Sequence, residues 1–382
     1  MFKGSEKAEN LVIGAGFSGA TIAQKIAAEL DESVLIIDKK DHIAGNGFDY
    51  FDENGICIHK YGSHIFHTQN EKVWEFISQF ASFNTYTHKV LALIDGLETP
   101  IPFNLNTIYD VFPESLAKKL EEKLLSKFEY GAKVPILEFK KQTDKDLDFL
   151  ANYIYEKVFL GYTQKQWGLK PDEIDSSVSA RVPVAVSRDD RYFYDKYQGI
   201  PLEGYSVLVK NMLNHENIEV RLNTDYKDVQ VDFKRIFYTG SIDEYFDYKF
   251  GQLPYRSVNF DFQTLEQKFY QKTAVINYPN DYDFTRIHEF KHYLNDKSDK
   301  TVIAKEYSEA FVSGKNERYY PIASPENTKL YEKYLSEAKG EENGVQNLYF
   351  LGRLGDYKYY DMDRAIKRAL DLFEVVCQTQ QK

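Results

Sequence analysis

Leu11-Val12-Ile13-Gly14-Ala15-Gly16-Phe17-Ser18-Gly19 is an apolar strand running into a Gly-x-Gly-x-x-Gly turn and then a helix. In such a turn Gly14 permits the tight reversal, Gly16 lets the backbone approach a pyrophosphate, and Gly19 lets the helix pack closely on its strand. The helix N-terminus offers unpaired N–H groups and a positive dipole end to the phosphates. The following residues agree: Ile22, Ala23, Ile26, Ala27 and Leu30 form a helical stripe, and Val34-Leu35-Ile36-Ile37 reads as the next strand. That strand ends at Asp38, about 20 residues on, where an acid can bind a ribose hydroxyl. The expected fold is α/β, with a Rossmann-like dinucleotide-binding domain.

A chain of 382 residues can hold two or three domains with cores of their own. The formal net charge of -11 argues against nucleic acid as a general partner, because no basic field would attract phosphate. An anionic ligand must then be met by a few well-placed arginines. Cys57 and Cys377 are too few and too far apart for a disulfide framework, so a reducing, cytoplasmic setting is expected. No stretch sustains the roughly 18 apolar residues of a membrane span. The 30 tyrosines and 27 phenylalanines mostly fill core, but Tyr also suits a site that stacks on a base while hydrogen-bonding it.

Past Asp38, Lys39 leads to a second glycine turn, Ala44-Gly45-Asn46-Gly47, placed to meet the phosphates again. Next comes His59-Lys60-Tyr61-Gly62-Ser63-His64-Ile65-Phe66-His67-Thr68. On a strand His59 and His67 share a face and His64 lies opposite, so no metal site is expected. Gly62 beside an imidazole suits a loop lying flat against a planar cofactor. Helical spacing runs from Asn106 to about Phe128 and from Asp144 to Leu160. The region from Val258 to Tyr307 reads as an antiparallel sheet, with Arg286, His288 and Phe290 on one face. Near the end Leu348-Tyr349-Phe350-Leu351 runs into Gly352-Arg353, an aromatic loop, and a last helix after Asp361-Met362-Asp363. A cofactor held at both the first turn and this loop is long, which favours FAD over NAD.

Across nearly its whole length the chain resembles bacterial UDP-galactopyranose mutases. The resemblance rests on Gly14–Gly19, His59–Thr68, Gly161–Gly168 (GYTQKQWG), Gln198–Tyr205 (QGIPLEGY), Thr285–His292 (TRIHEFKH) and Gly352–Asp363 (GRLGDYKYYDMD), among others. It implies three parts: an FAD-binding domain over 1–81, 200–250 and 302–382, a helical bundle over 104–178, and a twisted antiparallel sheet over 82–103, 179–199 and 251–301. It further implies interconversion of UDP-galactopyranose and UDP-galactofuranose without net redox change, N5 of reduced FAD being the nucleophile at the anomeric carbon. The product would supply galactofuranose for cell-surface polysaccharide. A homodimer and an unidentified reductant for the flavin are implied as well.

The same resemblance assigns residues. Arg181 and Arg286 flank the diphosphate, Tyr162 and Trp167 stack on uracil with Val158 on the same wall, and Tyr192, Tyr320 and Tyr359 hydrogen-bond the diphosphate. Asp361 lies near the sugar. His64 and His67 belong to the loop at the flavin ring. FAD falls to Gly14, Gly16, Phe17, Ser18, Gly19, Asp38, Lys39, Gly45, Asn46, Tyr61, Gly62, Gly352, Arg353 and Met362. A lid from about Gly161 to Arg181 carries Trp167. Four positions depart from the family: Ala44 for a usual glycine, Asp38 for a usual glutamate, and Ser63 and Ser241 where proline is common. The alternatives are a UDP-N-acetylgalactosamine mutase, an FAD-dependent oxidoreductase of similar fold, and a non-catalytic nucleotide-sugar or FAD-binding protein.

Overall fold

The computed structural model describes residues 8–174, 182–229, 233–322, 324–339 and 347–380. Its first sheet has five parallel strands, in the order Ile218–Arg221, Val34–Ile37, Asn10–Ile13, Arg235–Tyr238 and Leu348–Phe350. Val34–Ile37 is buried throughout, as a parallel strand covered on both faces must be. Helices Phe17–Leu30, Tyr205–Leu213 and Met362–Gln380 enclose the largest apolar core on one face. Helix Pro325–Lys339 brings Tyr334 against Tyr238 and Phe350 on the other. The chain leaves Asn10–Ile13 toward one neighbour and returns later to the other, so the crevice beyond these carboxyl ends is a topological switch point, where ligands bind in such folds.

At the opposite end of this sheet sits a buried ion network. Glu32 accepts from Arg235 Nη1 at 2.6 Å, Asn10 Nδ2 at 2.9 Å and Lys234 Nζ at 2.5 Å. Burial alone would raise the Glu32 pKa, but hydrogen bonds from Arg235, Lys234 and Asn10 bring it down to about 2.

The second sheet has seven strands, in the order Tyr320–Pro321, Tyr255–Leu265, Thr301–Ala310, Arg286–Glu289, Val275–Asn277, Val90–Ile94 and Leu97–Ile101. It corrects three expectations. Val275–Asn277 pairs in parallel with Val90–Ile94, so the sheet is mixed and not wholly antiparallel. Thr301–Ala310, assigned from 302 onward to the FAD domain, is hydrogen-bonded between two strands of this sheet. The stretch 182–199 contributes no strand to it: Val184–Ala185 pairs with Lys133–Val134, and Tyr197–Gly199 pairs with Phe66–Thr68.

The helical part packs around Leu105, Ile108, Leu120, Leu124, Leu147 and Leu150. The expected helix from Asn106 to Phe128 is two, Leu105–Val111 and Glu114–Lys127, because Pro113 cannot donate to the turn before it. Asn104 and Thr107 close a reciprocal cap on the first. From Asp144, which caps with its own side chain, the helix Lys145–Ile154 widens into a π-helical stretch, Tyr155–Leu160, and resumes as Gly161–Trp167.

The sign of the Glu32 shift sets a test. A carboxylate held below its ordinary 4.5 contributes stability above that pH and loses it as pH falls toward 2. Glu32→Gln is expected to cost about 3–5 kcal/mol near neutral pH. The deficit should shrink as pH falls below the ordinary carboxylate range, read as urea midpoints of both proteins at neutral and acid pH; a pH-independent deficit would contradict the charge account.

Candidate active site

The first glycine turn opens onto a cavity of 620 Å³ at the carboxyl ends of the parallel strands. Gly14, Gly16, Phe17, Ser18, Gly19, Asp38, Lys39, Gly45, Asn46, Gly352, Arg353 and Met362 all line it. A Cβ on Gly14 would stand 1.9 Å from Thr239 Oγ1 and its φ is +103°, so no side chain fits there. Gly16 and Gly45 face each other, a Cβ on Gly45 lying 3.1 Å from Gly16 Cα, and Ala44 N–H donates to Ala15 O at 2.8 Å. The two turns thus form one bare-backbone cradle, which fits a dinucleotide pyrophosphate. The Asp38 carboxylate is held in place by the backbone N–H groups of Ala15 at 2.8 Å and Lys40 at 2.9 Å. Gly352 approaches Ser18, so the C-terminal loop meets the first turn, as a long cofactor requires.

Ala44 takes a φ of +68°, the left-handed region its family's glycine would occupy freely. Its methyl is buried in the main core.

A second cavity, of 270 Å³, joins the first. Asn46, His64, Tyr319, Arg353, Asp361 and Met362 line both. Tyr61 and Gly62, expected at the cofactor, line this second chamber, and so do Val158, Tyr162, Trp167, Tyr192, Tyr320, Tyr359, Arg286 and His67. The structure therefore brings together every proposed substrate residue except Arg181, which lies outside the described residues. Trp167, Tyr320 and Tyr359 form an aromatic cluster in which Tyr359 meets both other rings edge-to-face, with Tyr320 and Tyr359 centroids 5.1 Å apart at 85°. Burial pushes the Tyr162 and Tyr320 hydroxyls up, so both stay protonated donors.

The segment carrying Val158, Tyr162 and Trp167 is fastened to the seven-stranded sheet. Asn280 Nδ2 donates to Lys157 O at 2.8 Å, and Gly161 passes so close to Pro279 that a Cβ would stand 2.4 Å from its carbonyl oxygen. Lys165 Nζ donates to the carbonyls of Tyr278, Tyr282 and Phe284, the last two at 3.0 Å. Burial brings the Lys165 pKa down to about 8, against the opposing pull of Asp283 and Asp281. Arg256 caps the helix C-terminus, donating to Lys165 O at 2.9 Å and Gln166 O at 2.8 Å.

Besides Arg353, the chamber holds a second guanidinium, Arg286, whose Nε lies 2.8 Å from Glu306 Oε2 with its N–H off the line to that oxygen. The contact is a charge pairing, and the guanidinium keeps donors for a ligand. Burial would lower the Arg286 pKa, but Glu306 raises it well above the ordinary value. Glu306 is itself held at about 2, against its burial, by Arg286 and His288. Arg353 donates to Tyr360 O at 2.5 Å and lies over Tyr359 and Tyr320.

His64 Nδ1 donates to Gly62 O at 2.8 Å, and burial brings its pKa down to about 3, so the neutral ring presents Nε2 as an acceptor. His67 Nδ1 is 2.9 Å from Asp195, and its ring stacks on Phe193 at 3.6 Å. The three histidines of 59–67 are not on one strand; the chain turns between Cys57–His59 and Phe66–Thr68. Asp49, Cys57 and His59 do lie within 4.8 Å of one another. Asp49, however, already accepts from the N–H groups of Tyr205 and Ser206, and His59 Nδ1 accepts from His64 N–H, so the neutral ring carries its hydrogen on Nε2. Asp49 is thus spent on protein contacts, and His59 Nε2, which has no hydrogen-bond partner among the described residues, carries the ring hydrogen and offers no lone pair to a metal.

Sequence reasoning missed Glu306, His88 and Phe193. Glu306 carried one signal: an acid two residues past the apolar run Val302-Ile303-Ala304, twenty residues after the arginine it balances.

A bare-backbone cradle opening onto a chamber with a guanidinium and stacked aromatics defines a dinucleotide-cofactor enzyme acting on a nucleotide-linked substrate. A family model described as UDP-galactopyranose mutase matches residues 157–359, and one described as an NAD(P)-binding Rossmann-like domain matches 12–80. A probable UDP-galactopyranose mutase of Klebsiella pneumoniae is 39% identical over 94% of this chain and 92% of its own. A dTDP-fucopyranose mutase of Escherichia coli is also 39% identical, over 94% and 96%. A crystal structure of reduced UDP-galactopyranose mutase superposes with a TM-score of 0.74 over 98% of this chain and 95% of that one, at 16% identity, a likeness of fold. The chain belongs to the UDP-galactopyranose mutase family.

Two outcomes are expected. Ala44→Gly relieves about 1–2 kcal/mol of left-handed strain and loses about 0.8 kcal/mol of methyl burial. Its urea midpoint should equal or slightly exceed that of the parent; a clear loss would mean that packing of the methyl dominates. Lys165→Met frees three carbonyls and should shift Trp167 emission to the red, recorded with Trp74→Phe in the background. Unchanged emission would mean the helix is held without the lysine.

Proposed function

We propose that the protein interconverts UDP-galactopyranose and UDP-galactofuranose, using reduced FAD and consuming no stoichiometric oxidant. The observation that carries this reading is the junction of the two cavities, where His64, Arg353, Asp361 and Met362 face both the cofactor cradle and the substrate chamber. Reduced FAD, when bound, supplies the nucleophilic nitrogen, which is why the chamber needs no activated side-chain nucleophile. Arg286 binds the diphosphate and steadies the negative charge that gathers on it as the sugar bond breaks. We assign Arg181 the same task on the strength of the family resemblance. Tyr162 and Trp167 hold the base, and Tyr192, Tyr320 and Tyr359 donate to the phosphate oxygens, which orients the sugar toward the junction. His64 offers an acceptor there, and the apolar wall of Val90, Ala92 and Val158 keeps water away.

A second reading has a specific observation behind it: the dTDP-fucopyranose mutase of Escherichia coli matches this chain as well as the UDP-galactopyranose relative does. UDP-N-acetylgalactosamine is a third substrate to try. Product chromatography of dithionite-reduced protein with UDP-galactofuranose, dTDP-fucopyranose and UDP-N-acetylgalactosamine separates them. UDP-galactofuranose is expected to give the highest kcat/KM, with no turnover by the oxidised protein. Turnover that consumed an oxidant would instead make it an oxidoreductase. Arg286→Ala and Arg181→Ala should each lower kcat about 100- to 1000-fold; a wild-type rate in either would remove that arginine from the mechanism.

A further inference from the structure

We infer that Ser63 is a positioning residue, whose hydroxyl ties the loop carrying His64 to the carboxylate that holds Arg286. The inference rests on the reading of Arg286 as the diphosphate ligand.

Ser63 Oγ lies 2.5 Å from His288 Nδ1 and in hydrogen-bond contact with Tyr293 Oη. His288 Nε2 lies 2.9 Å from Glu306 Oε2, the oxygen that also faces Arg286 Nε at 2.8 Å. Hydrogen counting gives this chain a direction. A carboxylate only accepts, so His288 Nε2 carries a hydrogen. A neutral ring then has a bare Nδ1, which must accept from the Ser63 O–H. The Ser63 oxygen in turn accepts from Tyr293 O–H. The order is Tyr293 to Ser63 to His288 to Glu306, with every donor used once and the end at the Arg286 charge. Tyr293 is 2%, His288 1% and Glu306 2% exposed, and Ser63, His288 and Glu306 border the substrate chamber. Thr285 Oγ1, at 3.1 Å, occupies the other oxygen of Glu306.

The loop end of the chain is equally constrained. His64 N–H donates to His59 Nδ1 at 3.1 Å, and the His59 ring stacks on Tyr293 at 4.9 Å. Ser63 is therefore where the strands carrying Arg286 and Glu306 are keyed to the residue that lines both cavities. A residue without a hydroxyl at 63 leaves two buried groups unpaired, Tyr293 Oη and His288 Nδ1. The freed Nδ1 can then take a proton, because Glu306 faces the same ring. The other titratable groups close to His288 are Arg286, His59 and His88, and burial holds both histidines neutral. An imidazolium at 288 would compete with Arg286 for Glu306 and change how the guanidinium is held.

The test measures UDP binding by holoenzyme from pH 5.5 to 8.5 in Ser63→Ala, Ser63→Thr, Tyr293→Phe and Arg286→Ala, with FAD content as the folding control. Ser63→Ala is expected to weaken UDP binding about tenfold near neutral pH and to add an acid-side limb absent from the parent. Ser63→Thr should restore both, and Tyr293→Phe, which leaves the link from Ser63 to Glu306 whole, should add no limb. Parental affinity and pH profile in Ser63→Ala overturn the proposal. If Ser63→Ala does not retain FAD, Ser63→Cys takes its place: a thiol is a weak donor, so weakened binding beside a normal Ser63→Thr supports the proposal and parental binding overturns it. Arg286→Ala separates the two readings. Parental UDP binding in that variant would refute the diphosphate role of Arg286, whereas its loss beside an unaltered Ser63→Ala would refute the Ser63 inference alone.

Discussion

The Glu306 carboxylate is the constraint on which the substrate chamber depends. An isolated buried charge costs several kcal/mol, and an anionic ligand in a chain of net charge -11 needs a cation nearby. Both demands are met by one group of contacts: Glu306 faces Arg286 and His288 and accepts from Thr285. The acid keeps Arg286 charged and in place without taking all of its donors. What remains is a guanidinium that is preorganised and still able to bind phosphate, and such preorganisation matters most where charge develops during a reaction.

The second constraint is backbone proximity. Two glycine turns meet at Gly16 and Gly45, and the C-terminal loop meets the first of them at Ser18 and Gly352. The cofactor cradle is thus made of main chain from three distant parts of the sequence. The substrate chamber is made of side chains from the helical segment, the seven-stranded sheet and the loop at 59–68. Asn46, His64, Arg353, Asp361 and Met362 belong to both, and so does Tyr319. This shared wall puts the cradle of one fold unit in direct communication with a chamber built by others.

Much of this was legible in the residues themselves. Gly14 to Gly19 read as a phosphate turn because the chemistry of that turn is local. Tyr162, Trp167, Tyr320 and Tyr359 were assigned to the substrate by family likeness, and they do share one chamber. Other features were not legible. The break at Pro113 was hidden by the four-residue spacing of Leu116, Leu120 and Leu124, which continues the pattern without revealing the interruption before it. The π-helical stretch at Tyr155–Leu160 has no periodicity signature distinct from the helices on either side. The parallel pairing of Val275–Asn277 with Val90–Ile94 joins strands nearly half the chain apart, and alternation cannot state which neighbour a strand will take.

The residues of a phosphate-bearing, base-stacking site were assigned by family likeness; by itself the sequence determined the dinucleotide turn and the α/β pattern around it. These follow from interactions within a few residues: φ freedom at glycine, helix periodicity, and apolar strands. Tertiary structure alone decided that Thr301–Ala310 belongs to the seven-stranded sheet and that Glu306 balances Arg286. It also decided that Lys165 pins the Trp167 helix and that Ser63 reaches His288. Each is a pairing between residues far apart in sequence, and such pairings depend on how separate elements pack, which no local pattern encodes.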